Sequence, residues 1–266
     1  MNDKLPDVQN MQDLREKGIN KVGIRELILP IQIRGASGRV INTVGDFSVY
    51  SSLSKELRGA NMSRYSEVIQ EAIKDNISSD IILDILERIK TKLESDDAYV
   101  KVKFNYFVKK KAPVSGKEGF VHVPCILEGR LINGEKKLYL TVKSFYSSLC
   151  PCSKEISDRG AHNQRSSAAI TVEMKGSIKI ENLVKLIDDN ASCEIYSILK
   201  RPDEKYVTEK AYDNPKFVED MSRDIALALD KLLDKSINDY VVVINHFESI
   251  HLHNACSIIN AGRELK

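Results

Sequence analysis

The middle of the chain sets the fold class. Strand patterns run from Tyr99 to Val108, from Val121 to Ile132 and from Lys137 to Tyr146, and the dipeptide Asn133-Gly134 separates the last two. Both turn residues tolerate positive φ, so the pair predicts a tight hairpin between two strands. This part of the chain is committed to antiparallel sheet.

The flanking segments alternate between the same two periods. Apolar and polar residues alternate from Val22 to Ile33 and from Ile41 to Tyr50, the period of half-buried strands. Helical spacing replaces it over 62–74 and 79–95, where Ile82, Ile85, Leu86, Ile89 and Leu93 share a face and Ser79 is a plausible N-cap. Further on, 168–174 is predicted as a strand, Ile180 to Asp189 as a helix and Cys193 to Lys200 as a strand. Asn214 offers an N-cap with Pro215 at the first helical position, opening a helix that buries Val218, Met221, Ile225, Leu229 and Leu232. Tyr240 to Phe247 and Ile250 to Ile259 close the chain as strands. The expectation is an α+β protein: a polar arm over 1–18, then two modules of similar plan over 19–148 and 149–266.

Composition narrows the class. The 266 residues carry 29% charged and 42% hydrophobic side chains with a formal net charge of +2, a globular balance that offers no electrostatic footprint for nucleic acid. The opening MNDKLPDVQNMQDLREKG has no apolar core of signal-peptide length, and no later run approaches a membrane span, so a cytoplasmic protein without a membrane partner is expected. The five cysteines are odd in number, which favours free thiols or ligands over structural disulfides. Four of the five cysteines and four of the five histidines lie from residue 150 onward.

Those side chains cluster. Residues 149–166, LCPCSKEISDRGAHNQRS, place Cys150, Cys152 and His162 close in sequence, and thiolate with imidazole is a donor set suited to a borderline-soft divalent metal. The alternative is that one or both cysteines are small buried residues. His162 sits in a polar, loop-like segment. His251 and His253 form an H-x-H pair that one strand would project from a single face, serving metal ligation or proton transfer, with core packing as the bland alternative. His246 has the opposite parity and is expected to be structural. The acids of 199–220, LKRPDEKYVTEKAYDNPKFVED, and the basic run Lys109, Lys110 and Lys111 have the character of solvated surface, though a triphosphate binder needs cations such as those lysines.

Taken together, LCPCSKEIS, GAHNQRS, LKRPDEKYVTEKAYDNPKFVED and NHFESIHLHNA resemble the GTP cyclohydrolase IB family, and Leu5-Pro6-Asp7-Val8-Gln9 is similar to its opening motif. The resemblance implies a tunnelling fold, with two tandem modules of antiparallel sheet backed by helices. These assemble across subunits of a homotetramer into barrels, with active sites at the interfaces. It implies conversion of GTP and water to 7,8-dihydroneopterin triphosphate and formate, feeding folate and deazaguanosine synthesis, whereas the archaeal branch makes a cyclic phosphate.

Carried onto this chain, the implied metal ligands are Cys150, His162 and Glu204, holding one divalent zinc, manganese or iron. Three ligands leave a position for water, which the metal would acidify for attack on C8 of guanine. Cys152 would lie beside the metal, assisting the chemistry with Cys150 or acting as a redox-sensitive thiol, and His251 and His253 are the candidate acid and base. Glu219 resembles the glutamate that anchors the purine, accepting hydrogen bonds from N1-H and the 2-amino group. Lys154, Gln164 and Arg165 are candidates for the triphosphate. Two other readings compete: a queuosine-pathway nitrile reductase on the same scaffold, which would leave Cys150, His162 and Glu204 without a role as a metal triad, and a non-catalytic metal-binding or purine-binding protein.

Overall fold

A computed structural model describes residues 8–73 and 76–262; Leu5, Pro6 and Asp7 of the opening motif lie outside them. Two compact units share the chain. The first takes the chain up to Arg34, Gly38–Phe104 and Ile126–Leu138, and the second takes Gly35–Ser37, Asn105–Cys125 and everything from Tyr139 on. The expected module boundary at 148/149 falls at the end of a strand inside the second unit.

In the first unit, β1 (Ile19–Arg34) and β2 (Val40–Leu53) pair antiparallel, with Ile33 opposite Ile41 and Ile31 opposite Thr43. Helix α1 (Met62–Ala72) leads to a two-residue strand, β3 (Asn76–Ile77), which joins β1 in parallel. Helix α2 (Ser79–Leu93) follows, then β4 (Ala98–Lys111), which pairs antiparallel with β2. The apolar stripe of α2 is the predicted one, with Ile82, Ile85, Leu86 and Ile89 fully buried. Its N-cap is Ser78, not Ser79: the Ser78 hydroxyl accepts from the Ile81 N–H at 3.3 Å. Two adjacent serines offer identical cap chemistry, and only the backbone, extended at Ser78, chooses between them. β5 (Glu118–Ile132) passes so close to α2 that a side chain at Gly129 would meet Ile82 at 2.6 Å. The predicted turn is present, with φ of 51° at Asn133 and 81° at Gly134, and it feeds β6 (Glu135–Leu149).

The second unit contains the C-terminal elements: α3 (Pro151–Ile156), β7 (Asn163–Met174), α4 (Ile180–Asn190), β8 (Cys193–Glu194), α5 (Arg201–Asp213), α6 (Val218–Asp230), β9 (Ile237–His246) and β10 (Ala255–Asn260). β7 lies between β6 and β9, and β10 pairs with β9, all antiparallel. Leu183 and Ile187 of α4, Met221, Ile225 and Leu229 of α6, and Ile170, Val172, Val242 and Ile244 of the strands form its core.

Several expectations change here. β7 begins at Asn163, so the segment after His162 is strand rather than loop. Of the strand expected over Cys193 to Lys200, only Cys193 and Glu194 find a partner, on β6; the rest has no ladder to join. Residues 201–213 form a helix, and Asn214 caps its C-terminus instead of opening the next one, whose N-cap is Phe217. Helix α5 has no apolar stripe, burying only Asp203 and Ala211, so periodicity could not reveal it. The Asp203 carboxylate holds it in place, accepting the N–H groups of Val114, Ser115 and Lys200 at 2.8 Å each. These bonds hold that carboxyl well below the usual range, against the opposing effect of its burial. Finally, β10 starts at Ala255, so His251 and His253 are not on a strand.

Candidate active site

The end of β6 and the start of β7 are locked together by short-range bonds. Cys150 is the N-cap of α3, with Pro151 at the first helical position, where the missing N–H costs nothing. Its N–H donates to the His162 carbonyl at 3.1 Å. The Ser153 hydroxyl donates to the Cys150 carbonyl and accepts from the His162 N–H, both at 3.2 Å. The loop between them therefore brings thiol and imidazole to one place. A pocket of about 290 Å³ opens there, lined by Cys150, His162, Glu219, His246, His251 and His253 among others. Glu219 reaches it from the first turn of α6, a position where the helix dipole favours a carboxylate. His251 and His253 reach it from the irregular segment between β9 and β10, their rings stacked at 5.1 Å and 14°. Stacking in a loop, not shared strand parity, brings that pair together.

The other candidates are placed differently. Cys152 is exposed and lies outside the pocket lining. Lys154 donates to the Tyr212 carbonyl at 2.5 Å and sits over that ring, so its ammonium is held against α5. Gln164 is buried in the pocket wall, whereas Arg165, the next residue of β7, faces the opposite way and is exposed. Glu204 is exposed on the first turn of α5, also outside the lining. Two further charged residues line the pocket that the sequence had not marked as candidates, Lys216 and Glu248. Glu248 stands in the same NHFESIHLHNA segment as the histidine pair, which was the available signal.

Comparison with known proteins decides the family. The family described as type I GTP cyclohydrolase FolE2 matches residues 5–257. The chain belongs to that family. It is 40% identical to GTP cyclohydrolase FolE2 of Thiobacillus denitrificans, over 98% of this chain and 96% of the relative. It is 43% identical to the FolE2 proteins of Magnetococcus marinus, over 97% of each chain, and of Desulfosudis oleivorans, over 97% of this chain and 99% of the relative. Among solved structures, uricase from Arthrobacter globiformis superposes with a TM-score of 0.52 at 9% identity, covering 92% of this chain and 94% of its own. Urate oxidase from Bacillus sp. TB-90 gives 0.52 at 8%, covering 91% and 99%. That likeness speaks to fold alone, and the fold is the α+β tunnelling fold expected from the sequence.

In this FolE2-family pocket, Cys150 and His162 fit a divalent metal by donor chemistry. The His162 Nδ1 is engaged by Gln164 at 3.0 Å and by Ser249 at 3.3 Å, so Nε2 is the nitrogen that would face a metal. The third expected ligand is not brought to them: among the described residues, no three His, Cys, Asp or Glu side chains are grouped to hold a metal.

His246, expected to be structural, is buried and also lines the pocket. It is 3% exposed, and its Nε2 lies 3.1 Å from the Tyr146 hydroxyl. Burial pushes its pKa down to about 4, partly opposed by the negative charge of Glu219. It is neutral at physiological pH. Between its unfolded pKa near 6.5 and about 4, the unfolded chain binds the proton that the folded chain refuses, so stability falls as pH drops through that window. At roughly 1.4 kcal/mol per pKa unit, the loss attributable to His246 approaches about 3 kcal/mol. Urea unfolding at pH 7 and pH 5 should show a His246→Gln variant less acid-sensitive than the wild type; equal sensitivity would disprove the assignment.

Proposed function

We propose that this chain is a metal-dependent GTP cyclohydrolase of the prokaryotic IB type, converting GTP and water to 7,8-dihydroneopterin triphosphate and formate in the cytoplasm. It would act at the entry to folate and deazaguanosine synthesis. The observation that carries this reading is the convergence of Cys150, His162, Glu219, His251 and His253 on one pocket from four separate segments of chain. Family membership names the reaction.

In this reading each residue has a task. Glu219 holds guanine by accepting from N1-H and the 2-amino group, a pattern adenine does not present. The pocket, about 290 Å³, is at the small end of the range for ligand sites, suited to the base rather than the whole nucleotide. The triphosphate would then extend outward, where Arg165 and Lys154 serve it only in an assembled homotetramer with sites at subunit interfaces. Cys150 and His162 would hold a zinc, manganese or iron ion, with Glu204 as third ligand once α5 or a neighbouring copy delivers it. When bound, that ion supplies Lewis acidity at neutral pH. His251 and His253 move protons on and off the ring nitrogens as the imidazole ring opens and formate leaves, since each imidazole can both donate and accept a proton. Neutral His246 in the lining adds no positive charge to the pocket. Cys152, exposed beside the site, is a neighbour and a candidate for oxidation. The test is formate release from GTP by protein loaded with Zn²⁺ or Mn²⁺, with product identification; absence of formate with either metal would overturn the proposal.

A further inference from the structure

Gln164 is 8% exposed on β7, directly across the ladder from Ser148. Its amide bridges two neighbours: Nε2 donates to Ser148 Oγ at 3.0 Å, and Oε1 lies 3.0 Å from His162 Nδ1. Ser148 Oγ is in turn 2.8 Å from Ser166 Oγ, and both serines are fully buried. An amide whose nitrogen is committed to Ser148 shows the imidazole only an acceptor. Nδ1 of His162 therefore carries the hydrogen, and Nε2 keeps its lone pair. Outer hydrogen bonds of this kind fix the tautomer and ring direction of a ligating histidine and raise its basicity. A phosphate ligand has different requirements. A triphosphate is a polyanion that needs cations or several available donors, whereas this buried, uncharged amide has its oxygen on His162 and one of its two N–H groups on Ser148, leaving at most one donor.

We infer that Gln164 is a positioning residue for His162, aiming Nε2 at the metal, and is not a ligand of the triphosphate. The inference rests on the reading of Cys150 and His162 as metal ligands. The measurement is Zn²⁺ affinity of full-length, metal-stripped protein by chelator competition, with KM for GTP at saturating Zn²⁺ recorded separately. Gln164→Ala should weaken Zn²⁺ binding roughly 10–100-fold and leave KM unchanged. Gln164→Glu keeps an acceptor facing Nδ1 and should restore Zn²⁺ affinity, although its negative charge would repel a phosphate. Wild-type Zn²⁺ affinity in Gln164→Ala together with a raised KM would overturn the inference. If Gln164→Ala does not fold, Gln164→Glu decides: Zn²⁺ affinity more than about tenfold below wild type overturns it. Cys150→Ala separates the two levels. Lost Zn²⁺ binding there with unchanged binding in Gln164→Ala defeats this inference alone, whereas unchanged binding in Cys150→Ala defeats the metal reading and this inference with it.

Discussion

Replacing Cys150 with alanine is expected to abolish bound metal and formate release together, while Cys152→Ala keeps its full metal complement. The two cysteines are separated by one proline, yet the structure gives them different surroundings. Cys150 lines the pocket beside His162, and Cys152 is exposed on α3, outside the lining. Lewis-acid stabilisation is worth several kcal/mol in a transition state, and each 1.4 kcal/mol is tenfold in rate, so kcat/KM should fall by at least roughly 10³. Metal analysis of anaerobically purified variants, paired with a formate assay, reads both effects. Metal retained by Cys150→Ala, or lost from Cys152→Ala, would reverse the assignment.

Glu219→Ala is expected to cost the enzyme its hold on guanine. A carboxylate accepting two parallel bonds loses both when truncated, and hydrogen bonds to a charged group contribute about 1.5–3 kcal/mol each. Even allowing for non-additivity, kcat/KM for GTP should fall about 10²-fold or more. Selectivity is the sharper readout, because inosine triphosphate lacks the 2-amino group. The wild type should discriminate against it and Glu219→Ala should not. Normal GTP affinity in the variant would show Glu219 to be one more exposed carboxylate at a helix N-terminus.

How far the sequence reached depended on whether a residue's role was set by its near neighbours. The Asn133-Gly134 turn and the stripe of α2 were legible because both are properties of a few consecutive residues. Helix α5 was not, because its anchor is Asp203 bonded to the backbone at Val114 and Ser115, nearly ninety positions away. His251 and His253 were paired for the wrong reason: they meet by ring stacking in a loop, not by alternation along a strand. His246 was read as structural, and its burial and bond to Tyr146 agree; what parity did not show is that the same strand end also places it in the pocket lining.

The sequence by itself determined the α+β class, the hairpin, the amphipathic helices and, through its long motifs, a GTP cyclohydrolase kinship with the candidate residues Cys150, His162 and Glu219. Only the tertiary structure decided which of those residues share a pocket. It separated Cys150 from Cys152, set Gln164 against His162 while turning Arg165 away, and left Glu204 exposed on α5, outside the lining. The reason is physical. Periodicity records which face of an element is buried, whereas a site depends on register between strands and on hydrogen bonds that close long loops, such as that of Cys150 N–H with the His162 carbonyl.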